Sequence, residues 1–306
     1  MIHTFAGASE HQSSESSLYE HPRESVVAFF RELGIEDHEL HETIIERLAL
    51  IETRYRRFND DSRMICRGLR NLFDYITHTS PQQLSISETE INKTVLAGFI
   101  HDIGKSGPAT VGPEHQAMVV DIYGIEGVRD GTASISSVLR EHRPEDADRF
   151  LSLLSELGIT EHTTMREFWN LHGVWTHDIL EQYQCAGIDR ETRIIAGSHH
   201  IAEGINPYHV TDSTIPLGAI EIGALEQYLD VIEERALIII DKYQASRRRS
   251  ETSHETAMTV VRSIIEKKFD HDPIMQFILS AIDTLGSREA LFDIPPTPLK
   301  KSATAA

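Results

Sequence analysis

The stretch Phe99-Ile100-His101-Asp102-Ile103-Gly104-Lys105-Ser106-Gly107, FIHDIGKSG in one-letter code, decides how the rest of the chain is read. An apolar run (Val95, Leu96, Ala97, Phe99, Ile100) carries a helix up to His101 and Asp102, where Gly104 breaks it. An imidazole and a carboxylate on adjacent residues at a helix end can bind one divalent metal, or let the carboxylate bridge two. Taken alone, the same residues also describe a helix C-terminus with a glycine stop and a lysine that suits the helix dipole. The later chain gives the pair its weight: His172, the pair His199-His200, and Asp241.

Outward from this stretch the pattern is helical throughout. Residues 1–23 are polar and aperiodic, a disordered arm. Apolar residues then recur at helical spacing (Val26, Val27, Phe29, Phe30, Leu33) up to Gly34, and a second helix is predicted from Asp37 to Phe58. Together 24–58 form a short N-terminal helical region. A third helix is expected to start with Asn59-Asp60-Asp61 as its cap, with Ile65, Leu69, Leu72, Phe73 and Ile76 on its apolar face. Ser80 to Ser87 is a loop. Ser87-Glu88-Thr89-Glu90 is a capping box for the helix that delivers His101-Asp102.

Residues 114–143 suggest short helices, and 145–157 a longer one ending at Gly158. Thr163-Thr164 begins the helix of His172, and Asp189 the one ending in His199-His200. Further helices are expected at 217–232, around Asp241, and at 253–268 and 273–285. No stretch alternates with a period of two, so the fold class is all-α. The main domain is placed at 59–287, and 288–306 is a flexible tail.

The chain has 306 residues, 40% hydrophobic and 25% charged, enough for a helical domain with a real core. Its net charge of −19 argues against polymeric nucleic acid and against an anionic membrane surface. A small anionic substrate remains compatible where metal ions reverse the local sign. Cys66 and Cys185 build neither a disulfide framework nor a zinc motif, which suits a reducing, cytoplasmic setting. No apolar run is long enough to span a membrane, and the N-terminus lacks the basic and apolar regions of a signal peptide.

The candidate ligands are His101, Asp102, His172, His199, His200 and Asp241. A mixed set of imidazoles and carboxylates without thiolate suits Fe, Mn, Ni, Co or Zn better than Ca or Mg. Six donors are too many for one ion with an open position. They match two ions about 3.5–4 Å apart that share Asp102 and clamp a phosphate. Lys105 stands close enough in the chain to meet a phosphate oxygen. An Asp after Ile238-Ile239-Ile240 is costly to bury unless a cation compensates it.

FIHDIGKSG resembles the signature of HD-domain metal-dependent phosphohydrolases. The later parts resemble, in order, the HD-GYP branch, which hydrolyses cyclic di-GMP. HGVWTHDIL keeps His172 and Ile179-Leu180 in register, with Gly173 for the branch's Pro and Thr176 for its Gly. SHHIAEGINPYHV keeps His199-His200 and Gly204, with Ile201 for a Glu and Asn206-Pro207-Tyr208 where Gly-Tyr-Pro stands. IIIDKYQASRRR supplies Asp241, Tyr243, Ser246 and Arg247, and the later Phe269-Asp270 segment resembles the branch's Phe-Asp-Pro. The likeness covers residues 60–285.

The resemblance implies an HD-domain helical bundle and a phosphodiesterase. It implies a dinuclear centre, Fe or Mn first and Ni, Co or Zn next, whose activated hydroxide attacks a phosphoester. The implied substrate is a cyclic dinucleotide or another nucleotide. His101, Asp102, His172, His199, His200 and Asp241 are the implied ligands, and Lys105 meets the phosphate. The branch's first His is replaced by the run Asn59-Asp60-Asp61, in which Asp61 is the best-placed substitute. Arg247 is a candidate for a second phosphate or a guanine face. Tyr208 either faces substrate or closes a turn. The alternative to an enzyme is a catalytically degenerate HD module that senses a nucleotide or docks a partner.

Overall fold

The computed structural model describes residues 21–79, 86–128, 130–203, 205, 232–250, 252–269 and 272–293. Among these there is no strand; the fold is all-α, with two isolated bridges, Ser134 to Thr164 and Cys185 to Ile188. The helices are α1 (Pro22–Glu32), α2 (Glu42–Arg54), α3 (Arg56–Thr79), α4 (Glu88–Ile100), α5 (Pro113–Tyr123), α6 (Ile135–His142) and α7 (Ala147–Glu156). They continue with α8 (Met165–Gln182), α9 (Arg190–Gly197), α10 (Ile232–Ser250), α11 (His254–Lys268), α12 (Pro273–Gly286) and α13 (Ala290–Asp293). The expectations for 1–20, for 217–231 and for 294–306 lie outside the described residues. No described helix is long and apolar enough to cross a membrane.

Local chemistry sets most of the boundaries. Ser87, Thr164 and Ser253 cap α4, α8 and α11 through their side chains, and at Ser87 and Thr164 the capping box with Glu90 and Glu167 is complete. Asp189 caps α9 by accepting from the Thr192 amide. Gly34 takes φ +82° just past α1, a conformation that suits glycine as a helix stop.

The helix expected from Asp37 to Phe58 departs at both ends; Asp37–Glu39 forms only a short 3-10 turn, and α2 begins at Glu42. The predicted second helix ends early, at Arg54, because Tyr55 leaves helical geometry (φ −122°, ψ 77°). Helix α3 restarts at Arg56, so Asn59-Asp60-Asp61 lies inside it rather than capping it. Asp61 Oδ1 accepts from Gln244 Nε2 at 2.7 Å, so its carboxylate faces α10 instead of a helix N-terminus. The tail also departs. Residues 290–293 form α13, with Leu291 buried and Asn71 donating to the Leu291 carbonyl at 3.0 Å.

Two apolar cores share the molecule. The larger joins α1–α4 and α9–α12, and the smaller gathers α5, α6, α7 and the first half of α8. Helix α8 belongs to both: Phe168 and Trp175 face the small core, and Ile179 and Leu180 the large one. His172 sits on the stretch between them. The N-terminal helices α1 and α2 contribute to the larger core through Val26, Phe30, Ile44, Leu48 and Ile51. Phe29 stacks on Phe99 at 4.1 Å between ring centroids, beside the His-Asp turn, and Phe30 meets the same ring edge-on.

Glu52 is buried where α2 meets α1 and α3. Burial pushes its carboxyl up to about 7, against the partial opposition of Arg63, 3.9 Å away, and of Ser25. The folded chain therefore holds this proton at pH values where the unfolded chain, at the ordinary value of 4.5, releases it. Stability is expected to fall as pH rises through that window. Glu52→Gln should flatten this part of the profile and gain about 2–3 kcal/mol at pH 8. Urea unfolding at pH 5 and pH 8 measures it; equal pH slopes for the two proteins would count against the assignment.

Candidate metal centre

Helices α4, α8, α9 and α10 bring His101, Asp102, His172, His199, His200 and Asp241 together. His101 and Asp102 form the turn that ends α4, and His199 and His200 lie just past α9. His101, Asp102, His172 and His199 are buried; His200 and Asp241 are partly so.

Three imidazoles are oriented in the same way. His101 Nδ1 donates to the Gly98 carbonyl at 2.7 Å, His199 Nδ1 to Ala196 at 2.7 Å, and His172 Nδ1 to Trp169. A carbonyl only accepts, so each Nδ1 carries the proton and each Nε2 presents a lone pair. Those lone pairs converge. His199 Nε2 is 3.3 Å and His200 Nε2 2.8 Å from His172 Nε2. Asp102 Oδ1 is 2.9 Å from His172 Nε2 and 3.8 Å from His199 Nε2. The other carboxylate oxygen, Oδ2, is 3.4 Å from His101 Nε2, and Asp241 Oδ1 is 3.9 Å from the same nitrogen. Asp102 thus offers one oxygen to each of two donor groups.

Lone pairs facing one another repel unless a cation lies among them. Donors that share one ion at about 2.1 Å stand about 3.0–3.4 Å apart, close to the separations here. A proton on one ring relieves one contact, but burial opposes a set of imidazolium charges. Burial, together with the neighbouring His charges, holds His199 well below the usual imidazole range. Burial and the Lys242 charge do the same for His200. The fully buried His101 Nε2 has no hydrogen-bond partner. The donor set therefore fits metal ions: His172, His199 and His200 form one group of mutually close donors, and His101, Asp102 and His199 another.

The carboxylates remain anionic in spite of burial. The charges of Lys105, His101 and His172 outweigh the burial of Asp102 and hold it well below the usual carboxylate range. Lys242, His101 and His199 do the same for Asp241. Lys105 pairs with Asp102 Oδ2 and lies 6.0 Å from the Tyr55 ring. Lys242 Nζ meets Asp241 Oδ2 at 2.8 Å.

The remaining candidates are placed otherwise. Asp61 is held by Gln244 and Arg248 on α10 and lies outside both donor groups. The Arg247 guanidinium lies against the Tyr243 hydroxyl, which bonds His254 Nδ1 at 2.9 Å. Arg248 instead takes the face of α10 that carries Asp241, as a spacing of seven residues requires. Tyr208 lies outside the described residues.

Several positioning residues escape a sequence reading. Thr176 Oγ1 donates to the His101 carbonyl at 2.7 Å and accepts from the Gly104 amide at 3.0 Å, pinning the His-Asp turn to α8. Arg47, fully buried within the aliphatic stripe of α2, donates to the carbonyls of Ser106, Gly107, Pro108 and Ala109. Tyr123 donates to the Phe168 carbonyl at 2.9 Å and meets the His172 ring edge-on. Gly173 leaves room for the His200 ring, whose Cδ2 lies 3.4 Å from where a Cβ would stand. The signals were faint: one Arg among aliphatics, one Lys after Asp241.

Compared with protein-family models, with curated proteins and with solved structures, the chain matches none. What fold and site define together is an all-α protein with a buried His/Asp cluster able to bind metal ions.

Proposed function

We propose that the protein is a metal-dependent phosphohydrolase of the HD type whose centre holds two divalent transition-metal ions. Fe or Mn is favoured over Ni, Co or Zn. The observation that carries the reading is the convergence of imidazole lone pairs on both oxygens of one buried carboxylate. His172, His199, His200 and Asp102 Oδ1 would hold one ion; His101, Asp102 Oδ2 and Asp241 would hold the other. Such ions, when bound, supply an acidified water and Lewis-acid stabilisation of a phosphoryl group.

The chain's own residues do the rest. The helical carbonyls fix the tautomers of His101, His172 and His199, so these lone pairs are presented without rearrangement. Thr176 fixes the turn that carries Asp102. Lys105, anchored on Asp102, would meet a phosphate oxygen. The substrate class is a phosphoester, a cyclic dinucleotide such as cyclic di-GMP or another nucleotide. The two free cysteines go with a reducing, cytoplasmic setting.

One observation favours a second reading, a nucleotide sensor that no longer cleaves: Asp61 is committed to Gln244 and Arg248, which leaves the His101 group short of a donor. Loading with Mn or Fe, metal analysis and a bis-p-nitrophenyl phosphate assay test the proposal. At least one metal per chain and metal-dependent hydrolysis are expected. Less than one metal and no hydrolysis would refute it. Tight cyclic-dinucleotide binding without turnover by the metal-loaded protein would favour the sensor.

A further inference from the structure

We propose, resting on the two-metal reading of the centre, that the two metal positions are unequal, and that Lys242 sets the inequality by competing with the second cation for Asp241. The donor counts differ. One position has His172, His199, His200 and Asp102 Oδ1. The other has His101 Nε2, Asp102 Oδ2 and Asp241 Oδ1, with His199 as its near neighbour. The second is also the position around which ammonium groups gather. Lys105 pairs with Asp102 Oδ2, and Lys242 Nζ lies 2.8 Å from Asp241 Oδ2.

Lys242 is the more telling of the two. It is only 9% exposed, its carbon stem buried beside the site. A buried ammonium stays charged at low cost only where a carboxylate meets it, and Asp241 is the carboxylate it meets. Asp241 divides its two oxygens: Oδ1 faces His101, and Oδ2 faces Lys242. A divalent ion held by His101 and Asp241 must share the carboxylate with this fixed charge, and like charges at such range repel. The Lys242 charge also reaches His200, but the carboxylate it pairs with belongs to the second position alone. The first equivalent of metal therefore fills the three-imidazole position, and the second binds more weakly beside Lys242.

Titration of Mn(II) into the metal-free 306-residue chain tests this, followed by calorimetry and by the electron paramagnetic resonance of free Mn(II). The wild type should take up two equivalents with dissociation constants about tenfold or more apart. Lys242→Met keeps the stem and removes the charge; it should tighten the second equivalent by about 10-fold to 100-fold and the first by much less. Lys242→Arg keeps the charge and should preserve the wild-type pattern. Asp241→Asn should lose the second equivalent alone. Thermal melts establish that each variant folds, and Lys242→Gln replaces Lys242→Met if that one does not. Two equivalents of equal affinity in the wild type would overturn the inference. So would a second affinity within about twofold of wild type in Lys242→Met. Absence of binding at both positions would overturn the metal reading as well, a result distinct from equal binding at both.

Discussion

Asp102→Asn is expected to lose both metal ions and to lower phosphoester hydrolysis by about 1,000-fold or more. Asp102 presents a separate oxygen to each donor group: Oδ1 looks toward His172 and His199, and Oδ2 toward His101. An amide in its place offers one oxygen and an NH2 group with two N–H donors, so at least one group loses its carboxylate ligand and the charge is gone from both. The metal-free protein should also suffer. Lys105 would lose the carboxylate that anchors it in a partly buried place, and breaking such a pair by removing one member costs about 3–5 kcal/mol. Metal content, hydrolysis rate and the urea midpoint separate the two effects. A variant that retains two metals would remove Asp102 from the centre of the scheme.

Gly104→Ala should be the most damaging change that removes no functional group. A Cβ at this position would lie 2.1 Å from the His172 carbonyl oxygen and 2.5 Å from the Thr176 amide nitrogen. Both are backbone atoms of α8, so no rotamer change can clear the space. Either the turn lifts off the helix, breaking the Thr176 contacts with His101 and Gly104, or α8 shifts and takes His172 with it. A loss of about 4 kcal/mol or more is expected, in the range of severe backbone overpacking. Unfolding midpoints of soluble protein, or the fraction recovered soluble, give the answer. A variant as stable as wild type would show that the turn and α8 pack more loosely than these distances require.

Much of the fold was legible because helices announce themselves through local chemistry. The capping boxes at Ser87 and Thr164 and the period of apolar residues in α3 and α4 are contained within a few residues. The boundary at Tyr55 was not legible. Asn59-Asp60-Asp61 has the composition of a cap, and what draws Asp61 elsewhere is Gln244, far along the chain. The candidate ligands could be picked out because imidazoles and carboxylates at the ends of apolar helices are costly without partners. What holds them could not. Arg47 reaches the Gly107 carbonyl across 60 residues of sequence, and Thr176 reaches the His-Asp turn across 75. Such couplings have no local signature. The same holds for the face of α10: helical spacing places Arg248 on the side of Asp241, but only packing shows that Arg247 lies against Tyr243.

The buried guanidinium of Arg47 has a practical consequence. Its partners are the main-chain oxygens of residues 106–109, with the Ser106 hydroxyl beside them, so what it secures is a backbone path rather than a particular side chain. Transplanting FIHDIGKSG into another helical scaffold would carry the donors across and leave their splint behind. A minimal fragment of this protein must therefore begin upstream of α2, and an engineer who trims it closer would obtain the motif without its shape.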